Sequence, residues 1–214
     1  MTLVLAGLAV VITTVGFSTV ALAETITFGG EKPGSLPAAF ETALTGQGKP
    51  GRWEIVEDTT ADGGRALAQL SAEPTDYHFP LAIYRAANAT DVEATVHFKP
   101  VAGRIDQAGG VVVRYQDADN YYLARANALE NNVTFYRVIK GNRQQLAAAG
   151  QQVAPGQWHS LALKAEGDRF TVVLDGKPAI MATDRTFSGQ GRVGLWTKAD
   201  SVTRFDRLEI SVTR

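Results

Sequence analysis

Val-Glu-Ala-Thr-Val-His-Phe-Lys, residues 92–99, decides the fold. Val92, Ala94, Val96 and Phe98 alternate with Glu93, Thr95, His97 and Lys99, the period-two pattern of a strand with one face buried. Pro100 and Gly103 end it. Outward from this run the same grammar repeats. Gly110–Tyr115 is a strand, Gln116–Asn120 a polar turn, Tyr121–Asn127 the return strand. Glu130-Asn131-Asn132 turns into Val133–Ile139, and Gly141-Asn142, a two-residue hairpin signal, leads into Arg143–Ala148. Pro155-Gly156, Gly167-Asp168 and Asp175-Gly176 then punctuate Trp158–Ala165, Phe170–Leu174 and Pro178–Ala182. Gly191–Thr197 and Phe205–Val212 close the chain. About nine strands at this turn spacing predict an all-β sandwich.

Toward the N-terminus the pattern loosens. Arg52–Glu57 and Arg65–Leu70 read as strands, Gly46–Gly51 as a loop, and Pro37–Leu44 as one short helix. No Pro-, Ser- or Gly-rich linker divides residues 24–214, so they are read as a single β-sandwich domain. Met1–Ala23 carries no charged side chain and Leu3–Val15 is almost continuously apolar; the stretch ends Ala21-Leu22-Ala23 before Glu24. Small residues at −3 and −1 predict a signal peptide over 1–23, cleaved before Glu24, although no Lys or Arg precedes the apolar run. The rival reading is a retained anchor, since about 20 apolar residues just span a bilayer. Cleavage predicts a periplasmic or secreted protein of a bacterial envelope, with no membrane span in the mature part.

The 214 residues include no cysteine, which excludes disulfides, thiolate zinc sites, a cysteine nucleophile and a lipidated N-terminal Cys. With 21 Lys+Arg against 22 Asp+Glu, the chain lacks the basic surplus of a nucleic-acid binder.

Several words are distinctive. They are GGVVVRYQDADNYY (109–122), RANALENNV (125–133), GQWHSL (156–161), DGK (175–177), GRVGLWTKADS (191–201) and FDRLEI (205–210). In this order they resemble the bacterial 3-keto-disaccharide hydrolase-like domains, members of the concanavalin A-like lectin/glucanase sandwiches and neighbours of laminin-G-like modules. The resemblance spans roughly Trp53–Val212. It implies a jelly roll of two antiparallel sheets and frequent contact with sugars. Binding modules and hydrolases both occur in such families, so function does not transfer with the fold.

Glycoside hydrolysis ordinarily needs two carboxyl groups. The glucanase pattern Glu-x-Asp-x-x-Glu has its nearest match at Arg204, Asp206 and Glu209, with Arg at the first position, so the retaining pair is missing there and Asp206 reads as structural. Glu130, among Asn127, Asn131 and Asn132, is the best acid/base candidate, with Asp200 as its helper. Asp117, Asp119 and Asn120 are hard oxygen donors close enough together to hold calcium, or simply turn residues. His78, His97 and His159 form no metal set, and no Gly-x-Ser-x-Gly elbow is present. Trp53 and Trp158, at strand starts, read as core.

Strand parity suggests a ligand face. Arg114 opposes Val111, Val113 and Tyr115, Arg125 accompanies Leu123 and Asn127, Arg137 opposes Tyr136 and Val138, and Trp196 and Lys198 share one parity. If these strands are neighbours, Arg114, Arg125, Arg137, Trp196 and Lys198 gather on one face, with Asn127 and either Tyr121 or Tyr122 beside them. Guanidinium forks, amides and one aromatic ring suit an oligo- or polysaccharide. The plainer alternatives are a solvated face of surface ion pairs, or a face that docks a protein.

Overall fold

The computed structural model describes residues 22–212. In chain order its strands are β1 (Leu22–Thr27), β2 (Phe40–Gly46), β3 (Trp53–Glu57), β4 (Arg65–Gln69), β5 (His78–Ala89), β6 (Val92–Ala102), β7 (Ala108–Asp117) and β8 (Asn120–Asn127). There follow β9 (Asn132–Ile139), β10 (Asn142–Gly150), β11 (His159–Glu166), β12 (Arg169–Leu174), β13 (Lys177–Thr183), β14 (Gly191–Trp196) and β15 (Val202–Val212). A 3-10 turn at Asp62–Gly64 is the sole helical element among the described residues. None of their helices is long and apolar enough to cross a membrane.

Every strand pairing is antiparallel. The first sheet runs β13-β12-β11-β6-β15-β4-β3, with β1 also on β15, and the second runs β10-β9-β8-β7-β14-β5-β2. The predicted alternation of residues 92–99 holds in β6. Val96 pairs with Leu161 on one side and Leu208 on the other, and all three are buried in the inter-sheet core. The facing layer comes from the second sheet, where Val111, Val113, Tyr122, Ala124 and Phe135 meet it. Tyr122 bridges the layers, its ring centroid 4.4 Å from that of Phe170. Gly109 lies under this packing: a Cβ there stands 2.4 Å from the Phe98 ring.

Two stretches differ from the sequence reading. Residues predicted as a helix at 37–44 instead supply β2, whose Phe40 is buried against Tyr84 of β5 and pairs with it. β5 itself escaped notice. Twelve residues long and interior, it is buried along most of both faces, so it shows no alternation, and Pro80 reads as a break. Of the leader predicted over 1–23, all but Leu22 and Ala23 lies outside the described residues. Those two begin β1, paired with Val212 and Ser211.

The second sheet is strongly curved. β2 and β8 stand four strands apart, which is about 19 Å in a flat sheet, yet Thr45 Oγ1 lies 2.8 Å from the Tyr121 hydroxyl. Thr45 also donates to the carbonyl of Ala118 in the β7–β8 turn, and the Tyr77 hydroxyl donates to Gly141 in the β9–β10 turn. The hairpin tips therefore curl over the outer face and make it concave.

Candidate functional site

The concave face carries a second buried cluster, separate from the inter-sheet core. It includes Phe79, Leu81, Ile83, Tyr115, Tyr121, Tyr136 and Trp196. Trp196 is fully buried and stacks on Phe79 with ring centroids 5.4 Å apart. It is thus floor beneath the face, where the sequence placed a ring free to stack on a ligand. Tyr121 is likewise fully buried, while Tyr122 takes the core side. The exposed ring is Tyr77, 37% accessible and edge-on to Phe79.

Two arginines of the predicted face lie off it, Arg114 because a bulge breaks the alternation and Arg137 because its side, opposite Tyr136 and Val138, is the inter-sheet one. Arg114 adopts φ +50°, and on both sides of β7 the register shifts around it: from Val113/Tyr122 to Asp117/Asn120 against β8, and from Gly194/Val112 to Arg192/Tyr115 against β14. This bulge puts Tyr115 on the concave face and turns Arg114 away from it. The Arg114 guanidinium is buried near the Phe170 ring and donates to the carbonyls of Thr90, Phe187 and Gly167 at 2.8, 2.8 and 2.7 Å. Its tight seat explains Gly191, where a Cβ would lie 2.3 Å from the Arg114 carbonyl carbon. Arg137 also leaves the face: it pairs with Asp184 at 2.7 Å, and Asp184 accepts the Tyr122 hydroxyl. Of the predicted set, Arg125, Asn127, Glu130 and Lys198 do converge.

Their arrangement is a chain of alternating charge. Arg125, almost fully buried, donates to Glu130 Oε2 at 2.8 Å, to Asn132 Oδ1 at 2.8 Å and to the Tyr136 hydroxyl at 3.3 Å. Asn127 donates to Asp106 Oδ1 at 2.6 Å. The Lys198 ammonium lies 2.7 Å from both Asp106 Oδ2 and Asp76 Oδ1. Around Glu130 burial acts to raise the carboxyl, but the Arg125 hydrogen bond and charge outweigh it and hold Glu130 below the usual range. Asp106 goes the other way: burial dominates and pushes it up, despite Lys198. Lys198 itself loses by burial and gains more from its two carboxylates, so it is raised.

Asp200 does not join them as a free carboxyl. It accepts the backbone N–H groups of Arg104, Ile105 and Asp106 at 2.6, 3.1 and 3.0 Å. Burial acts to raise it, but these donors outweigh burial and keep it ionised. Its work is to hold the 103–106 loop, and with it Asp106. Asp117 spends its carboxylate on the Asp119 N–H and the Asn120 amide within the hairpin. Among the described residues no group of three or more His, Asp or Glu is poised around a metal. Trp158, predicted as core, lies instead on the outer face of the first sheet, stacked on His97 at 5.2 Å, while His97 is 2.8 Å from the buried Asp206.

Asp76, Asp106 and Tyr136 were not proposed from the sequence as site residues, whereas Asn132 was named beside Glu130. Asp76 sits in a loop with no periodic signal, and Asp106 follows Arg104-Ile105 as an ordinary turn residue. The pairings that bring them in span 94 and more positions of sequence for the Asp106–Asp200 and Asp76–Lys198 contacts. A cavity of about 620 Å³ lies elsewhere, between β1 and β5, lined by Ala86, Ala87 and Ala89 together with Glu24, Asn88 and Asp91.

Comparison with known proteins agrees with this architecture. A family model described as "3-keto-alpha-glucoside-1,2-lyase-like domain" matches residues 40–211. The levanase of Bacillus subtilis (strain 168) is 32% identical over 118 residues, 53% of this chain but 17% of that protein. Among solved structures, the carbohydrate binding module CBM66 from Bacillus subtilis superposes with TM-score 0.62 at 23% identity, covering 78% of this chain and 92% of that one. Domain 4 of AbnA, a GH43 extracellular arabinanase from Geobacillus stearothermophilus in complex with arabinotriose, gives 0.58 at 13% identity over 88% and 91%. Bacillus licheniformis beta-glucanase gives 0.60 at 11% over 90% and 98%. At these identities the structural likeness establishes the jelly-roll fold.

Proposed function

The chain belongs to the family of 3-keto-alpha-glucoside-1,2-lyase-like domains, and from that premise we propose that its concave face binds a carbohydrate. One observation carries the reading. An aromatic-floored face carries cationic side chains whose donors the protein does not fully answer: Arg125 Nε and Arg143 Nη1 have no hydrogen-bond partner. Unmet polar atoms next to a half-exposed tyrosine suit hydroxyl groups on an apolar ring. Arg125, Asn127, Glu130, Asn132 and Lys198 are the polar contacts, and Tyr77 replaces Trp196 as the stacking ring. The relatives named for carbohydrate binding, a levanase and an arabinanase domain support the same choice. Export to the periplasm or medium, through the apolar leader, is part of this proposal.

Titration calorimetry against levan, arabinan, β-glucan and uronate oligosaccharides tests it. The wild type should bind at least one class, and Arg125→Met should weaken that binding tenfold or more. Absence of binding across the panel defeats the reading.

A second reading, a lyase or hydrolase acting on 3-keto-glycosides, is favoured by the opposed shifts of Glu130 and Asp106. Environments that push two carboxyls apart are how one site holds both a base and an acid. Glu130 is then the ionised base, and Asp106, rather than Asp200, the acid. Turnover of a 3-keto-glucoside that disappears in Glu130→Gln supports this reading; no turnover by the wild type removes it.

A further inference from the structure

Arg143 of β10 is placed unlike any other arginine of the described residues. Its guanidinium carbon lies 4.6 Å from the Tyr136 ring, 4.7 Å from Phe79 and 5.8 Å from Trp196. Nine arginines make an ion pair within 4.0 Å: Arg65, Arg85, Arg114, Arg125, Arg137, Arg185, Arg192, Arg204 and Arg207. The unpaired others, Arg52, Arg104 and Arg169, are exposed to water. Arg143 alone is half-buried without a carboxylate, and its Nη1 is fully buried without a hydrogen-bond partner. Asp76 is near enough to feel its charge but is engaged with Lys198.

Three aromatic rings lie around the guanidinium, enclosing Nη1 and answering its charge only through their π faces, so its hydrogen-bonding capacity is left for another partner. A hydroxyl satisfies one donor; a carboxylate satisfies two in parallel and also supplies the missing charge. Tyr136 links Arg143 to the Arg125–Glu130 cluster, because its ring stacks under Arg143 while its hydroxyl accepts from Arg125. The carboxylate therefore belongs to the same ligand.

We propose that the concave site selects acidic sugars, with Arg143 binding the carboxylate of a uronate residue. This rests on the carbohydrate-binding reading and narrows it to one class. The test uses the full chain and matched probes: oligogalacturonate and glucuronate oligosaccharides, the same compounds after methyl esterification, and neutral glucose oligomers of equal length. The wild type should bind a uronate probe at least tenfold more tightly than its methyl ester, with the advantage shrinking as salt rises. Arg143→Gln should bring acid and ester to equal affinity while keeping the ester's own affinity, and Arg143→Lys should restore part of the difference. Equal binding of acid and ester by the wild type, or tighter binding of neutral glucose oligomers, overturns the acidic preference and leaves the carbohydrate site standing. Binding of none of the probes overturns both. A loss of affinity for acid and ester alike in Arg143→Gln, with a lowered melting temperature, shows a structural clamp and also overturns the proposal.

Discussion

The two outer faces of the sandwich are both charged, and they are wired differently. On the first sheet, Asp58 collects Thr60, Lys99 and Arg204, Asp206 collects His97 and the Asp62 N–H, and Trp158 covers His97 and Lys99 while bonding Thr60. Nearly every polar atom there is answered, with Arg204 Nε the one buried atom left over. On the concave face, Arg125 Nε and Arg143 Nη1 are buried without a partner, and Arg143 has no ion pair among the described residues. A closed network holds loops; an open one is held ready for something else. The asymmetry is what assigns function to one face, since the fold alone treats both alike.

The closed face is the more costly to break. Asp58→Ala removes the carboxylate shared by Lys99 and Arg204 and strands both cations, with an expected loss of about 3 to 5 kcal/mol in a urea titration. Carbohydrate affinity, measured on the folded fraction, should not change. A fall in affinity alongside stability erases the distinction between the faces.

Asp200 makes the next largest difference, because it joins fold and site. Hydrogen bonds to a charged group contribute about 1.5 to 3 kcal/mol, and Asp200→Ala should cost an amount of that order while loosening the loop that carries Asp106. Its folded carboxyl is held below the ordinary range. The stability it provides is therefore complete above that range and is lost as pH falls through and below it. Asp200→Asn should flatten that part of the acid-denaturation curve. An unchanged curve denies it the role of anchor.

These faces also differ in how readily the sequence discloses them. Alternation in β6 announced the sandwich because one side of the strand meets the core and the other meets polar groups. β5 stayed hidden because both of its sides are covered, and β2 because a short run beside Pro37 has no clear period. At the site, Arg125, Asn127 and Lys198 were legible from parity and Glu130 from its Asn-rich turn, whereas Arg114 was misplaced by a bulge, seen in its positive φ and in register shifts on both sides, that no residue pattern announces. Trp196 was placed on the right face and given the wrong exposure, since curvature depends on contacts between strands four places apart. Asp76 and Asp106 matter through partners distant in sequence, and Arg143 through Phe79 and Trp196 as much as through Tyr136 of the neighbouring strand, which no local pattern encodes.

Arg125→Met sharpens the comparison from the binding side. The substitution keeps much of the aliphatic volume, and Glu130 is exposed enough, at 42% of its side chain, to be rehydrated when its partner leaves. The expected result is a tenfold or greater loss of ligand affinity, about 1.4 kcal/mol, with a smaller loss of stability than Asp58→Ala. Isothermal titration beside a urea melt reads both quantities. The reverse order of effects identifies Arg125 as scaffold.

Asp106→Asn makes the smallest and most discriminating change. The substituted amide would keep an acceptor for the Asn127 side chain, and Lys198 would keep Asp76, so little packing is lost. The folded Asp106 carboxyl is raised above its ordinary value, chiefly by burial. A raised carboxyl favours the folded state at low pH, and that advantage is lost as pH rises through the folded pKa, the opposite sign to Asp200. At neutral pH its ionised form is thus a burden on the fold, and the amide should be equally or slightly more stable, by up to about 1 kcal/mol. Ligand affinity, or turnover if the lyase reading holds, should nonetheless fall. Stability retained while function drops is the mark of a group kept for its ligand. A loss of both together places Asp106 with Asp58, in a network that exists to hold the chain.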